Sequence, residues 1–384
     1  MTRAVAGERR VVVAEDAGRL WLGLVVGHRV HELVVLSTAA SSRLGAIYKG
    51  RVTGLAPGIS AVFVEAGLER ELFTPCPEGG AALEMGQELL VQIVREAGGG
   101  KGHRASLDLT LPGWALILAP GGGHRGVSRK IRDHGKRERL RMLLEEIAPA
   151  GCGLIARTAA ADLTRELLVA ELDALVRRWQ AVLEQSAQCE APALLFREEE
   201  PILSFLRDQL CQPIAEVIVE DAALLARLVD LVEAELPGAA LTLRAHSGSR
   251  RLVEAYGLDL AWAEASARSL RLPSGGRVII EPTEALVAID VNSGRDTGGA
   301  HFEETALRTN IEAAELIARQ ICLRDLGGLI VIDFIDMLCR SSRALVDQAL
   351  KDALAEDRSK HRILTLSEFC LAQISRQRRA YRYQ

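Results

Sequence analysis

Two apolar runs in this sequence stop on an aspartate. Residues 286–290 read Leu-Val-Ala-Ile-Asp and residues 329–333 read Leu-Ile-Val-Ile-Asp. Asp290 and Asp333 therefore end segments whose aliphatic, β-branched content suits buried strands. Between them, Ala306, Leu307, Ile311, Ala314, Ile317 and Ile321 recur at helical spacing over residues 303–321. Glu303 and Glu304 suit the positive end of that helix's dipole, and Arg319 the other. A strand–helix–strand unit returns its second strand parallel to the first. If the two strands are neighbours or next-neighbours, both carboxylates emerge at the same C-terminal edge, where open α/β sheets bind ligands. Carboxylates brought together repel unless a cation lies between them. An octahedral Mg²⁺ takes one or two carboxylates, keeps several waters and binds substrate phosphate as well. Asn292, two residues past Asp290 on the same side of an extended chain, can hydrogen-bond a bound water or the carboxylate itself. The chemistry expected is attack on a phosphate ester at a carboxylate–metal site. The competing reading of residues 287–296, Val-Ala-Ile-Asp-Val-Asn-Ser-Gly-Arg-Asp, is ordinary turn chemistry at a strand end.

The rest of the composition narrows the class. At 384 residues the chain is long enough for two to four compact modules, and 48% hydrophobic with 26% charged residues describes a folded protein. A net charge of −4 gives no global pull toward nucleic acid, so local clusters must carry any such function. No apolar run approaches the ~18 residues of a membrane span, and no signal core opens the chain, so a cytoplasmic protein is expected. The cysteines, Cys76, Cys152, Cys189, Cys211, Cys322, Cys339 and Cys370, are odd in number and nowhere form a C-x-x-C or Cys/His ligand pattern. That argues against a zinc site or a disulfide framework. Any metal should be a hard cation held by carboxylates.

The flanking segments supply candidate supports. Residues 10–14, 20–26 and 32–36 alternate with short turns and predict a small antiparallel unit. Residues 45–94 hold several short strand patterns with Tyr48, Phe63, Phe73 and basic side chains interleaved. That suits an OB-fold barrel, whose aromatics stack bases, although Phe63 and Phe73 could equally be core residues. Residues 125–141 carry eight Lys/Arg against two acids, either a solvated helix face or a phosphate-binding surface. A short apolar strand ends at Arg157-Thr158, helices are expected near 162–186, within 198–210 and near 224–235, and a buried strand near 214–221. Toward the end, two strands joined by a turn lead to Asp290, a helix covers 342–356, and a strand-like run covers 362–369.

At this point a resemblance is evident. "LPSGG", "TEALVAIDVNSGR", "EETALRTNIEAAELIARQICLRDLGGLIVIDFIDM" and "SEF" resemble the catalytic region of the ribonuclease E/G family. "AIYKGRV", "AVFVEAGLER" and "LF" look like its S1-type RNA-binding domain, and "GVSRKI" with "GLIARTA" like its 5′-sensor region. The resemblance covers nearly the whole chain. It implies an α/β multidomain protein: a ribonuclease-H-like subdomain (residues 1–43 and 193–271) interrupted by an S1-type OB-fold barrel (44–110) and the 5′-sensor region (111–192), then a DNase-I-like α/β catalytic domain (272–384). It implies a Mg²⁺-dependent (Mn²⁺ as the other option), single-strand-specific endoribonuclease of RNA processing or decay that leaves 5′-phosphate and 3′-hydroxyl ends, often on 5′-monophosphorylated, A/U-rich RNA. By position, Asp290 and Asp333 match the metal-binding aspartates and Asn292 the amide beside them. Arg157 and Thr158 match the pair that reads the 5′-phosphate. Phe63 and Phe73 match aromatics used against bases, and Lys49 is a candidate backbone contact.

The departures set further expectations. Ala66 stands where the family often has an aromatic, which would thin the stacking platform, and Gln373 replaces an acid. The family's zinc-sharing cysteine pair and the small domain beyond it have no counterpart in this sequence. No zinc is therefore expected, and a monomer or weak homodimer is, with no membrane partner. A dimer would use an apolar face on the helix after Asp336 or the basic, aromatic tail Arg376–Tyr383. The alternative function is a non-hydrolytic RNA-binding regulator of the same fold.

Overall fold

The computed structural model describes residues 7–37, 43–76, 83–97, 102–197, 200–210, 212–236, 238–294, 302–355 and 357–378. Arg295, Asp296, Cys211 and the tail from residue 379, all invoked above, lie outside them. The chain forms two compact units, residues 1–39 with 246–384, and residues 40–245.

The first unit begins with β1 (Arg9–Asp16), β2 (Arg19–Val26) and β3 (Arg29–Ser37), an antiparallel meander as the alternation predicts. The second unit opens with β4 (Ile47–Ala56), β5 (Ala61–Glu65), β6 (Leu72–Pro75), β7 (Glu88–Arg95) and β8 (Arg104–Ser106). They close into a five-stranded barrel because β7 pairs with both β4 and β8. Val52, Val62, Val64, Leu72, Val91 and Ile93 fill its interior. Next come β9 (Leu111–Pro112), β10 (Leu116–Pro120), β11 (Arg125–Val127), α1 (His134–Ile147) and β12 (Cys152–Ala156), the strands forming a sheet in the order β11-β12-β10-β9. The basic run thus enters α1, whose N-cap Asp133 accepts from Lys136 N. A 3-10 turn (Thr158–Asp162) leads into α2 (Arg165–Gln188), and β13 (Ala193–Phe196) adds to the barrel beside β4. The unit ends with α3 (Pro201–Gln209), β14 (Glu216–Val219), α4 (Ala222–Glu235) and β15 (Leu243–Ala245), with β14 and β15 parallel.

The chain then returns to the first unit with α5 (Leu252–Ala255), α6 (Leu258–Ser266), β16 (Ser269–Arg271), β17 (Arg277–Pro282) and β18 (Leu286–Asn292). It continues through α7 (Phe302–Leu323), β19 (Gly328–Asp333), α8 (Arg340–Leu354), β20 (His361–Ile363) and β21 (Leu371–Arg376). The strands form one sheet in the order β16-β17-β18-β19-β21-β20. Val278, Ile280, Val287, Ile289, Val291, Ile330, Ile332 and Ile374 share a core with Ala313, Ile317 and Ile321 of α7 and with Val346 and Leu350 of α8. Both helices therefore lie on one face, and the alternate residues of each strand point to the other, more open face. No helix among the described residues is long and apolar enough to cross a membrane.

Several expectations need correcting. β21 is a strand for which the sequence reading named no element, its last residue being the first of the basic tail, and the strand-like run before it reduces to β20. Arg376 is not a free tail cation: it is buried, with Nε on Asp357 (2.7 Å) and Nη1 on Asp325 (2.8 Å) and the Leu326 carbonyl (2.7 Å). Arg319 does not sit in the last turn of α7. It ion-pairs with Glu264 of α6. Ala66 is buried against the barrel core.

Candidate active site

β18 and β19 are adjacent and parallel, with Asp290 directly in register with Asp333. Adjacent strands are ~4.8 Å apart, so the two side chains stand next to each other on the open face. Both are exposed, while Ile289 and Ile332 before them are buried in the core. The apolar residues thus fix the strands and the alternation fixes the outward direction of the acids. Asn292 Nδ2 donates to Asp290 Oδ2 and orients that carboxylate. Burial, and then the charges of Asp290 and Asp336, push the Asp333 carboxyl above the usual aspartate range. Among the described residues no lysine, arginine or histidine forms an ion pair with either aspartate. No group of three metal-ligating side chains converges among the described residues either. An exposed pair of hard oxygen donors with room for waters is what a Mg²⁺-type cation accepts.

The loops around the pair are held by Asn310 and Glu312, which the sequence did not single out, and by Glu303, which it read only as suited to the helix dipole. Asn310, fully buried on α7, donates Nδ2 to the Ile335 carbonyl (2.8 Å) and accepts from Ile335 N (3.0 Å) through Oδ1. Glu303 accepts from Leu338 N (2.9 Å) and Cys339 N (3.1 Å), the entry to α8. Together they fix the segment that carries Asp336. On the other strand, the Leu272–Gly276 turn is pinned by Ser274 N donating to Glu312 (2.8 Å). Gly275 has φ +89°, and a Cβ at Gly276 would lie 2.7 Å from the Asn292 carbonyl, so both positions require glycine. The signal available for Asn310 was a polar residue inside the apolar stripe of a helix.

In the second unit, Phe63 and Phe73 are cross-strand partners on β5 and β6, with ring centroids 6.0 Å apart in an edge-to-face arrangement. Both are half-buried and outside the barrel core, which leaves ring surface for stacking. Exposed Arg104 pairs with Phe73 on the other side, a cation the sequence did not single out. Lys49 has a different environment. Its ammonium pairs with Glu88 (3.0 Å) and donates to the carbonyls of Ser186 (3.1 Å) and Cys189 (2.9 Å). Its donors brace α2 against the barrel, leaving none for a phosphate in this conformation. Arg51 and then Lys49 hold the Glu88 carboxyl down at about 2.

The Arg157–Thr158 pair lies at the end of β12. Arg157 Nη1 donates to the Gly113 carbonyl (2.7 Å) and Nη2 to Asp208 (2.9 Å), while Thr158 Oγ1 lies 3.0 Å from Ser128 Oγ. The basic run largely builds this region. Arg137 donates to the Ser128 (2.7 Å) and Ile131 (3.1 Å) carbonyls, Arg139 to those of Ala161 (2.9 Å) and Leu163 (3.1 Å), and Lys136 pairs with Asp162.

A model of the ribonuclease E/G family matches residues 110–379. The chain is 35% identical over 389 residues to ribonuclease E of Haemophilus influenzae, covering 97% of this chain and 42% of that protein. It is 35% identical over 390 residues to ribonuclease E of Escherichia coli, covering 97% and 37%. Against ribonuclease G of Haemophilus influenzae it is 33% identical over 377 residues, covering 93% and 77%. The chain spans about two fifths of the length of those two ribonuclease E relatives. With the in-register aspartates, the five-stranded barrel and this similarity together, the chain belongs to the ribonuclease E/G family.

Proposed function

We propose that the chain is a divalent-metal-dependent endoribonuclease acting on single-stranded RNA and leaving 5′-phosphate and 3′-hydroxyl ends. The observation that carries this reading is the exposed, in-register pair Asp290–Asp333 on the open face of the sheet. Asp290 and Asp333 would hold Mg²⁺, which when bound supplies an acidified water and neutralises charge on a phosphate oxygen. Asn292 keeps the Asp290 oxygens in one orientation, Asp336 adds negative charge nearby, and Asn310 and Glu303 keep the following loop from drifting. Phe63 and Phe73 offer ring faces to RNA bases, with Arg104 beside them for a backbone phosphate. The test is incubation of the purified chain with a 5′-monophosphorylated single-stranded oligoribonucleotide. Cleavage in Mg²⁺, none in EDTA, and recovery on adding Mg²⁺ or Mn²⁺ are expected. Binding without cleavage in Mg²⁺ would instead favour the non-hydrolytic regulator.

Arg157 and Thr158 would read the RNA's 5′-phosphate. A terminal phosphate would then compete with Asp208 for the guanidinium, two of whose five N–H donors are engaged by Gly113 and Asp208. Arg157→Ala is expected to erase the preference for 5′-monophosphate over 5′-hydroxyl RNA while nearly preserving the rate on the hydroxyl substrate. Asp208→Asn should sharpen that preference. Paired rate measurements on the two substrates decide it, and equal loss on both would make Arg157 purely structural.

A further inference from the structure

Two side chains flank the carboxylate pair without a role in the reading so far. Arg277 on β17 pairs in register with Asn292, on the same open face as Asp290. Its side chain is exposed and engages no hydrogen bond or ion pair among the described residues. Directly opposed residues bring their Cβ atoms within ~5.5 Å, so the guanidinium sweeps the ground beside the Asn292 amide. On the other flank, the Ser367–Cys370 turn lies against the segment that follows Asp333. The Cys370 carbonyl accepts from Phe334 N (3.2 Å), and Met337 N donates to Cys370 Sγ (3.2 Å). That fixed turn holds Phe369 79% exposed, and the neighbouring segment holds Leu338 88% exposed. Scattered exposed apolar residues are ordinary. Here an aromatic stands on a pinned turn at the edge of a charged site, opposite an unengaged cation.

We propose that the open face carries single-stranded RNA across its strands, with Arg277 holding a backbone phosphate on the β17 side of the carboxylates and Phe369 stacking on a base on the β21 side. This rests on the endoribonuclease reading and adds a substrate track to it. Three strand spacings separate β17 from β21, ~14 Å, which an extended strand covers in a few nucleotides. The three aspartates repel a polyanion, and a planar guanidinium that can bind phosphate in a fork offsets that repulsion where it is needed. Stacking on an aromatic face is tolerant of base identity, as a processing enzyme requires. Both side chains are exposed, so their replacement leaves the core intact.

The experiment measures binding of a short fluorescent single-stranded oligoribonucleotide to the full chain in EDTA, by anisotropy over a salt series, followed by cleavage in Mg²⁺. Arg277→Ala is expected to weaken binding about tenfold and to lower the slope of log Kd against log salt by about one, the signature of one lost phosphate contact. Phe369→Ala is expected to weaken it about tenfold with the slope unchanged, and Phe369→Trp to restore it. Parent affinity in both alanine variants overturns the proposal. So does an Arg277→Ala chain that loses affinity without any change of slope, or failure of the parent chain to bind the oligonucleotide at all. A parent chain that binds RNA but does not cut it in Mg²⁺ refutes the endoribonuclease reading alone, and the variants still decide the track.

Discussion

Asp290→Asn and Asp333→Asn should each lower cleavage by about 10²–10³-fold, the scale seen when one charge-stabilising group leaves a site, while the chain stays folded. Each keeps the side-chain volume and removes one negative oxygen donor from an exposed position. The Asp333 carboxyl titrates above the ordinary range because of burial and then the charges of Asp290 and Asp336. With the folded value raised, its contribution to stability is present below the unfolded value and is lost as pH rises through the folded one. At neutral pH in EDTA, Asp333→Asn should therefore unfold at or above the parent temperature. The same shift sets the pH profile. Metal ligands must be deprotonated, so Mg²⁺ affinity and rate should begin to fall, as pH drops, at a higher pH than an ordinary aspartate would give. Thermal unfolding in EDTA and a pH–rate profile in Mg²⁺ check both statements. Full activity in either variant would sink the assignment.

Asn310→Ala should damage the site from a distance. The asparagine satisfies both the N–H and the carbonyl of Ile335, two residues past Asp333, and it is fully buried. Truncation leaves both backbone groups without that partner, at about 1–3 kcal/mol for each buried group left unsatisfied. An unfolding temperature several degrees lower is expected. The loop beside Asp333 then loses its anchor, and misplacement by about 1 Å can cost on the order of 10²-fold in rate. Asn310→Asp keeps the acceptor for Ile335 N but removes the donor to its carbonyl, so an intermediate loss is expected. Unchanged stability in Asn310→Ala would show that water replaces both bonds and that the clamp is dispensable.

The aspartate pair was legible because strand-type residues leading into an acid specify both the buried strand and the exposed side chain that ends it. The meander, the barrel and α7 were legible for the same reason, their apolar periods matching one element type. β21 was not. Gln373 and Ser375 occupy its open face, and Arg376 looks like a tail cation until Asp357 and Asp325 are brought to it from distant parts of the sequence. The charge density of residues 125–141 told equally of a solvated face and of a phosphate surface. Its arginines spend much of their hydrogen bonding on carbonyls of the neighbouring turns, which only the fold reveals. Lys49 fits the same pattern, since its carbonyl partners lie about 140 residues away. Local pattern fixes elements, whereas the partners of long cations are set by topology.

The first unit is discontinuous in sequence, and α7 packs on β3 as well as on the sheet that carries the aspartates. During synthesis the opening meander, which ends at Ser37, therefore leaves the ribosome well over two hundred residues before the helix it is to cover, which begins at Phe302. The intervening unit contains its own closed barrel and can condense in the meantime, which shortens the effective loop whose entropy must be lost when the distant segments meet. Until that meeting, the helix that anchors the Asp333 loop lacks its outer support. Completion of the aspartate site is then a late event in the folding of this chain, since β18, α7 and β19 all follow the whole of the intervening unit.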